Sequence, residues 1–184
     1  MTPSLHPGQF LLAEPFLPDV SFQRSVLLLC EHNTDGSIGL IMNQSLKMKW
    51  SDIQEDNNPN FDSQFYLGGP VGNDTLHFIH KIADLPDAVE IIPGVYWNGD
   101  FDELRNRIHT KKIFASHIKF FLGYSAWYPD QLEDEIKEST WVTTPATASY
   151  IFSADTKNLW RDIMQSLGGE YTSLANAPAS PLFN

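Results

Sequence analysis

Cys30-Glu31-His32 is the one stretch of this 184-residue chain where a thiol, a carboxylate and an imidazole stand side by side. On a strand, Cys30 and His32 share a face and Glu31 takes the other. A nucleophilic cysteine needs a base that lowers its pKa and a third group that orients the base. Cys30 and His32 are therefore the catalytic candidates, with Glu31 or Glu135 supplying acid–base work. The same order of residues also describes a small buried hydrophobe ending an apolar strand, a common place for cysteine. That second reading is preferred.

Other motifs are weaker. His77 and His80 add imidazoles, but on a strand a spacing of three sends them to opposite faces. With no C-x-x-C or H-x-x-x-H spacing in the chain, no metal and no cofactor are expected. Gly123-Tyr124-Ser125-Ala126-Trp127 sits between a strand and a helix, the setting of a nucleophile elbow. Trp127 replaces the second glycine of that motif, so a plain strand-to-helix turn is favoured. Gly68-Gly69-Pro70-Val71-Gly72 resembles an anion cradle but lacks the Lys-Ser/Thr of a phosphate loop. A tight backbone crossing beside a sheet is the simpler account. Asp130, Glu133, Asp134, Glu135 and Glu138 make one acidic helix, and Arg105, Arg107, Lys111 and Lys112 make a small basic group.

Charge narrows the function classes. Twelve Lys+Arg against 23 Asp+Glu give a net charge of −11. Such a surface repels phosphate backbones, so direct nucleic-acid binding is not expected. A single cysteine makes no internal disulfide. Residues 1–10 carry neither a basic nor an apolar signal segment, and Val26 to Leu29 is far too short to span a bilayer. The expectation is a soluble, cytoplasmic, acidic protein with no membrane partner.

The elements that position these residues follow from hydrophobic patterning. Gln9 to Ala13, Ser25 to His32, Ser37 to Asn43, Thr75 to Ile82, Val89 to Ile92, Val95 to Trp97 and Ile118 to Tyr124 read as strands. Asp35-Gly36 turns a central hairpin covered on both faces. A polar loop after a helical turn near Ser51 to Gln54 includes Asn57-Asn58-Pro59-Asn60. Asp100 and Glu103 cap a helix to about Ile108, and Pro129 starts another, through about Lys137. A third runs from Thr156 to Leu167, capped by Asp155, with the tail 170–184 along the surface. Strands and helices do not alternate, so one α+β domain over residues 1–184 is expected.

Three loop-rich blocks hold residues that a bland core does not require: Glu31-His32, Gly68-Gly69-Pro70, and Tyr124 through Gln131. Gln131 and Glu135 are four apart and point from one side of their helix. These blocks are expected to converge on one ligand- or partner-binding patch, with His32, Tyr124, Trp127, Gln131 and Glu135 around it.

LLLCEHNTDGSIGLIMN (27–43), YLGGPV (66–71), FLGYSAWYPDQLEDEI (121–136), TWV (140–142) and FSADTKNLWRDIMQSLGG (152–169), with AEPFLPDVSFQRSV (13–26) before them, resemble the YqgE/AlgH family of bacterial proteins. The resemblance covers nearly the whole chain in order. It implies a single α+β domain with a branching, largely antiparallel sheet, partly closed into a small barrel and flanked by helices. Members are often labelled transcriptional regulators, and no established catalytic residues carry over. Asn43-Gln44-Ser45 replaces a usual Asn-Arg-Pro, Ala126 and Asp130 stand where glycine is common, and Ser125 where alanine is. The expected function is therefore a non-catalytic binding or regulatory protein acting through a protein partner or small molecule. The alternative is an enzyme of unknown substrate using Cys30 and His32. A DNA-binding repressor lacks both a basic face and a helix-turn-helix.

Overall fold

Apolar residues at consecutive positions, rather than alternating ones, mark strands that are covered on both sides. In the computed structural model, which describes residues 4–53, 58 and 60–178, β1 (Gln9–Ala13) and β2 (Val26–Asn33) behave this way. Phe10, Leu12, Val26 and Leu28 enter one apolar cluster, while Leu11, Ala13, Leu27 and Leu29 enter another on the opposite face. The hairpin from β2 to β3 (Gly36–Ile41) turns at Thr34-Asp35, with Asn33 opposite Gly36.

The remaining strands are β4 (Ser45–Lys49), β5 (Gln64–Leu67), β6 (Val71–His80), β7 (Val89–Ile92), β8 (Val95–Trp97), β9 (Ile118–Trp127) and β10 (Trp141–Pro145). Among the described residues they form one sheet in the order β10-β1-β2-β3-β9-β6-β8-β7, with β4 and β5 branching from it. All pairs are antiparallel except β5 with β9. The branch point is Gly68. Its N–H donates to the Leu122 carbonyl at 2.8 Å, and its own carbonyl accepts from the Ile41 N–H at 2.9 Å and from Ser125 Oγ at 3.3 Å. A Cβ on Gly68 would stand 2.2 Å from the Gly123 carbonyl oxygen, so only glycine allows this approach. The glycine run is thus a backbone crossing and not a cradle.

The expected partial closure into a barrel is not made. The end strands β10 and β7 are not hydrogen-bonded to each other; Ile91, Val95 and Trp97 join Ile151 and Trp160 in one apolar cluster.

Among the described residues, six α-helices flank the sheet: α1 (Trp50–Ile53), α2 (Phe101–His109), α3 (Gln131–Lys137), α4 (Ala148–Ile151), α5 (Leu159–Leu167) and α6 (Glu170–Ala175). Asp100 caps α2 by accepting from the Glu103 N–H at 2.9 Å. On α5, Leu159, Trp160, Ile163 and Met164 are buried with Leu167 packed beside them, and Trp160 Nε1 donates to the Ala13 carbonyl at 2.9 Å. Together α4 to α6 cover one face of the sheet. Leu132 and Ile136 of α3 cover the other. A third cluster at the far end stacks Trp50 on Phe120 at 4.8 Å and gathers Leu104 and Ile108 of α2.

Several element boundaries differ from expectation. β9 continues three residues past Tyr124, because Ser125 to Trp127 pair with β3. Pro129 lies before α3, which begins at Gln131 behind Asp130 at φ 64°. α5 begins at Leu159, three residues late, since Asp155 caps the Asn158 N–H at 3.2 Å rather than the helix itself. β4, β5 and β10, each of four or five residues, are additional strands. The expected loop at residues 54–57 and 59, and the end of the tail at 179–184, lie outside the described residues.

Candidate functional site

The thiol pair is broken by a bulge. Leu29 lies opposite Gly39 but Glu31 lies opposite Ile38, so Cys30 is an extra residue with no cross-strand partner. A bulge of one residue reverses the alternation of faces. Cys30 therefore packs with Leu28 on the α5 face, 3% exposed, its Sγ directed at the Leu28 carbonyl 3.5 Å away. His32 turns to the α3 face, where Nδ1 is 2.8 Å from Ser37 Oγ and Nε2 is 3.5 Å from Glu133 Oε1. Burial, with a smaller contribution from Glu31, pushes the Cys30 thiol far above its ordinary range. No base reaches it. The elbow serine fares no better: Ser125 is 1% exposed, inside β9, and is committed to Gly68.

The α3 face holds the better-built site. Glu135 of α3 accepts from Trp127 Nε1 at 2.9 Å and from Trp141 Nε1 at 2.7 Å, both on Oε2. Its Oε1 accepts from Gln131 Nε2 at 2.9 Å, and Gln131 Oε1 in turn accepts the Tyr128 N–H at 2.9 Å. The two indoles meet edge to face at 6.1 Å, and Phe22 meets Trp141 the same way at 5.8 Å. One carboxylate thus ties together α3, β9 and β10. Beside this clasp is a cavity of ≈ 350 Å³, lined by Leu17, Phe22, Pro70, Trp127, Gln131 and Trp141 among others, with Asp19 at its rim. Its charged lining among the described residues is acidic, Asp19 and Glu135.

The nine expected patch residues are spread over two adjoining hollows that share Trp127, and the strand crossing beside them. Pro70, Trp127, Gln131 and Glu135 share the cavity. His32 reaches α3 through Glu133. Glu31 and Tyr124 instead line a neighbouring hollow of ≈ 410 Å³ beside the hairpin, with Ile38 and Val71. Gly68 and Gly69 are buried at the strand crossing. Phe22 and Trp141 went unrecognised, because their roles depend on pairing between chain segments more than a hundred residues apart.

His77 and His80 do fall on opposite faces. His77 stacks on Trp97 at 5.9 Å, whereas His80 is fully buried, accepts the Ile82 N–H on Nδ1 at 3.1 Å, and lies 2.7 Å from the Asn98 carbonyl through Nε2. Burial lowers the pKa of both.

The AlgH-like family model matches residues 10–172. The chain belongs to this family. It is 41% identical over 177 residues to a UPF0301 protein of Bacteroides thetaiotaomicron, covering 96% of this chain and 90% of that one. A UPF0301 protein of Chlorobaculum tepidum is 42% identical over 181 residues, covering 98% and 96%. Two solved structures share the fold of this AlgH-like chain. A crystal structure from Corynebacterium diphtheriae superposes with a TM-score of 0.80 at 19% identity, covering 96% of this chain and 95% of that one. The solution structure of AlgH from Pseudomonas aeruginosa gives 0.72 at 23%, covering 97% and 98%. Among the described residues, no helix is long and apolar enough to cross a membrane.

Proposed function

We propose that this AlgH-like protein is a non-catalytic cytoplasmic binding protein with a regulatory role, acting through a protein partner or small molecule rather than by touching duplex DNA. The observation that carries this reading is the cavity beside the Glu135 clasp. Two indoles are held in place before any ligand arrives, and such preorganisation lowers the cost of binding. A lining of aromatic rings, Glu135 and Asp19 suits an occupant with an apolar body and a cationic head. The separation of Cys30 from His32 supports a binding role over thiol chemistry. The charge of −11 argues against duplex contact.

The test follows the Trp127 and Trp141 indole N–H resonances during titration with size-matched amines, carboxylic acids and Lys/Arg-containing peptides. The cationic compounds are expected to shift both signals. Gln131 is exposed, so Gln131→Ala is expected to weaken that binding about tenfold, which is ~1.4 kcal/mol, with thermal stability nearly unchanged. Failure of every compound to move either indole would refute the reading, as would submicromolar, sequence-specific duplex binding at ~150 mM salt.

A further inference from the structure

Positive charge is scarce in this chain, and part of it is gathered without neutralisation at one place away from the Glu135 cavity. A hollow of ≈ 220 Å³ at the start of α5 is lined by Arg24, Lys157 and Arg161 together with Asn43, Gln44 and Thr156. The first of these cations is fixed in position from several sides. Arg24 adopts a left-handed backbone at φ 53°. Asn43 holds the turn by donating to the Arg24 carbonyl at 2.9 Å and accepting from the Val26 N–H at 3.0 Å. The guanidinium lies over Trp160, 5.0 Å from the ring centre, and Nη2 donates to the Ala177 carbonyl. Its Nε is buried, with no hydrogen-bond partner among the described residues.

Burial and the facing Arg161 both lower the Arg24 pKa, so the two guanidiniums repel each other. No carboxylate forms an ion pair with Arg24, Lys157 or Arg161 among the described residues. Lys49, Arg105, Arg107 and Lys137, on other elements, have carboxylate partners. Of the acids on the same segment, Asp155 is engaged by the Asn158 N–H at 3.2 Å and by Asn158 Nδ2 at 2.8 Å, with Lys157 adding to its low pKa, and Asp162 stands in the first turn of α5 without an ion pair to these cations. In addition, α5 starts with no side-chain cap, which leaves the positive end of its dipole facing the same hollow.

We propose that this hollow is an anion site for a phosphate group, carried by a small phosphomonoester. Arg161 presents a guanidinium fork, Lys157 a mobile ammonium, Arg24 the fixed charge of a guanidinium anchored through Nη2, and α5 the positive end of its dipole; together these match the charge of a dianion. The volume lies below the 300 Å³ or more typical of drug-sized pockets, which fits a phosphate with a small attached group rather than a large cofactor. The bound anion relieves the Arg24–Arg161 repulsion, so occupancy stabilises the fold.

The experiment uses the full chain at ~150 mM salt, where nonspecific surface attraction is screened. Amide resonances of Leu159, Trp160 and Arg161 and the melting temperature are recorded against inorganic phosphate, glycerol 3-phosphate, sulfate and glycerol. The expected result is saturable shifts and a raised melting temperature with both phosphates, tighter for glycerol 3-phosphate than for inorganic phosphate, and no effect of glycerol. Equal affinity for the two phosphates would make free phosphate the ligand and overturn the phosphomonoester assignment. Equal response to sulfate would make the site a general anion site and overturn the phosphate assignment. Lys157→Glu and Arg161→Glu, both at exposed positions, are expected to weaken binding at least tenfold while leaving the fold intact. Unchanged binding in both variants, no saturable shift up to ~10 mM phosphate, or shifts of these amides by a single-stranded oligonucleotide alone would refute the proposal.

Discussion

Glu135 shows how much one side chain can organise when its partners come from three elements. Its carboxylate accepts from two buried indoles and one amide. Removing it strands both indole N–H groups, and each unsatisfied buried donor costs about 1–3 kcal/mol. Glu135→Ala is therefore expected to lose roughly 2–4 kcal/mol of stability, read by denaturant unfolding. Gln131→Ala removes only the exposed member. If Glu135→Ala proves neutral, the clasp is not structural. Cys30 makes the opposite case, a residue with chemical promise and no opportunity. It is expected to resist thiol reagents in the native protein and to react once unfolded, at the ordinary thiol pKa of ~8.5. Rapid native labelling would show that the thiol is accessible. The sequence named Glu135, Gln131 and Trp127 because helical spacing and aromatic type are local signals. It gave no sign that Cys30 and His32 face apart, since a bulge is set by the partner strand.

At the level of elements, continuous apolar runs were legible and mixed ones were not. β1, β2, β3, β7 and β8 could be read from runs such as QFLLA and VLLLC, and α2 from its Asp100–Glu103 cap. β10 was missed because Val142 to Thr144 are only half-buried at the sheet's edge. The start of α3 is informative in another way. Asp130 holds φ 64° and makes no side-chain capping bond, at a position where the YqgE/AlgH resemblance has glycine. Relief of a left-handed backbone outweighs the extra freedom that glycine gives the unfolded chain. Asp130→Gly is expected to stabilise by about 0.5–1 kcal/mol, raising the melting temperature by a few degrees. A fall would mean that the Asp130 charge at the start of α3 contributes more than the strain costs.

For the whole molecule, pH acts through two imidazoles embedded in the sheet. Burial holds His77 and His80 below their ordinary value of 6.5 in the folded state. Between that lowered value and 6.5 the unfolded chain binds more protons than the folded one. Their contribution is thus complete above pH ~6.5 and is lost as pH falls through the folded-state values. Melting temperature is expected to drop on acidification below that point. His77→Phe keeps an aromatic ring against Trp97 and is expected to flatten the slope; an unchanged slope would assign the effect to other groups. The net charge of −11 was legible at once, but the concentration of Arg24, Lys157 and Arg161 at one hollow was not. Composition averages over the surface, and folding joins segments that begin more than 130 residues apart.

The pairing of β9 with β3, β5 and β6 also bears on how the chain is made. Until Trp127 has left the ribosome, β3, β5 and β6 have edges with no permanent occupant. Leu11, Leu27 and Leu29 likewise lack their cover from Trp127, Leu132 and Trp141. Most of the nascent polypeptide must therefore wait in an open, chaperone-accessible condition. Native structure is expected to form late in translation, in one step, rather than to accumulate from the N-terminus.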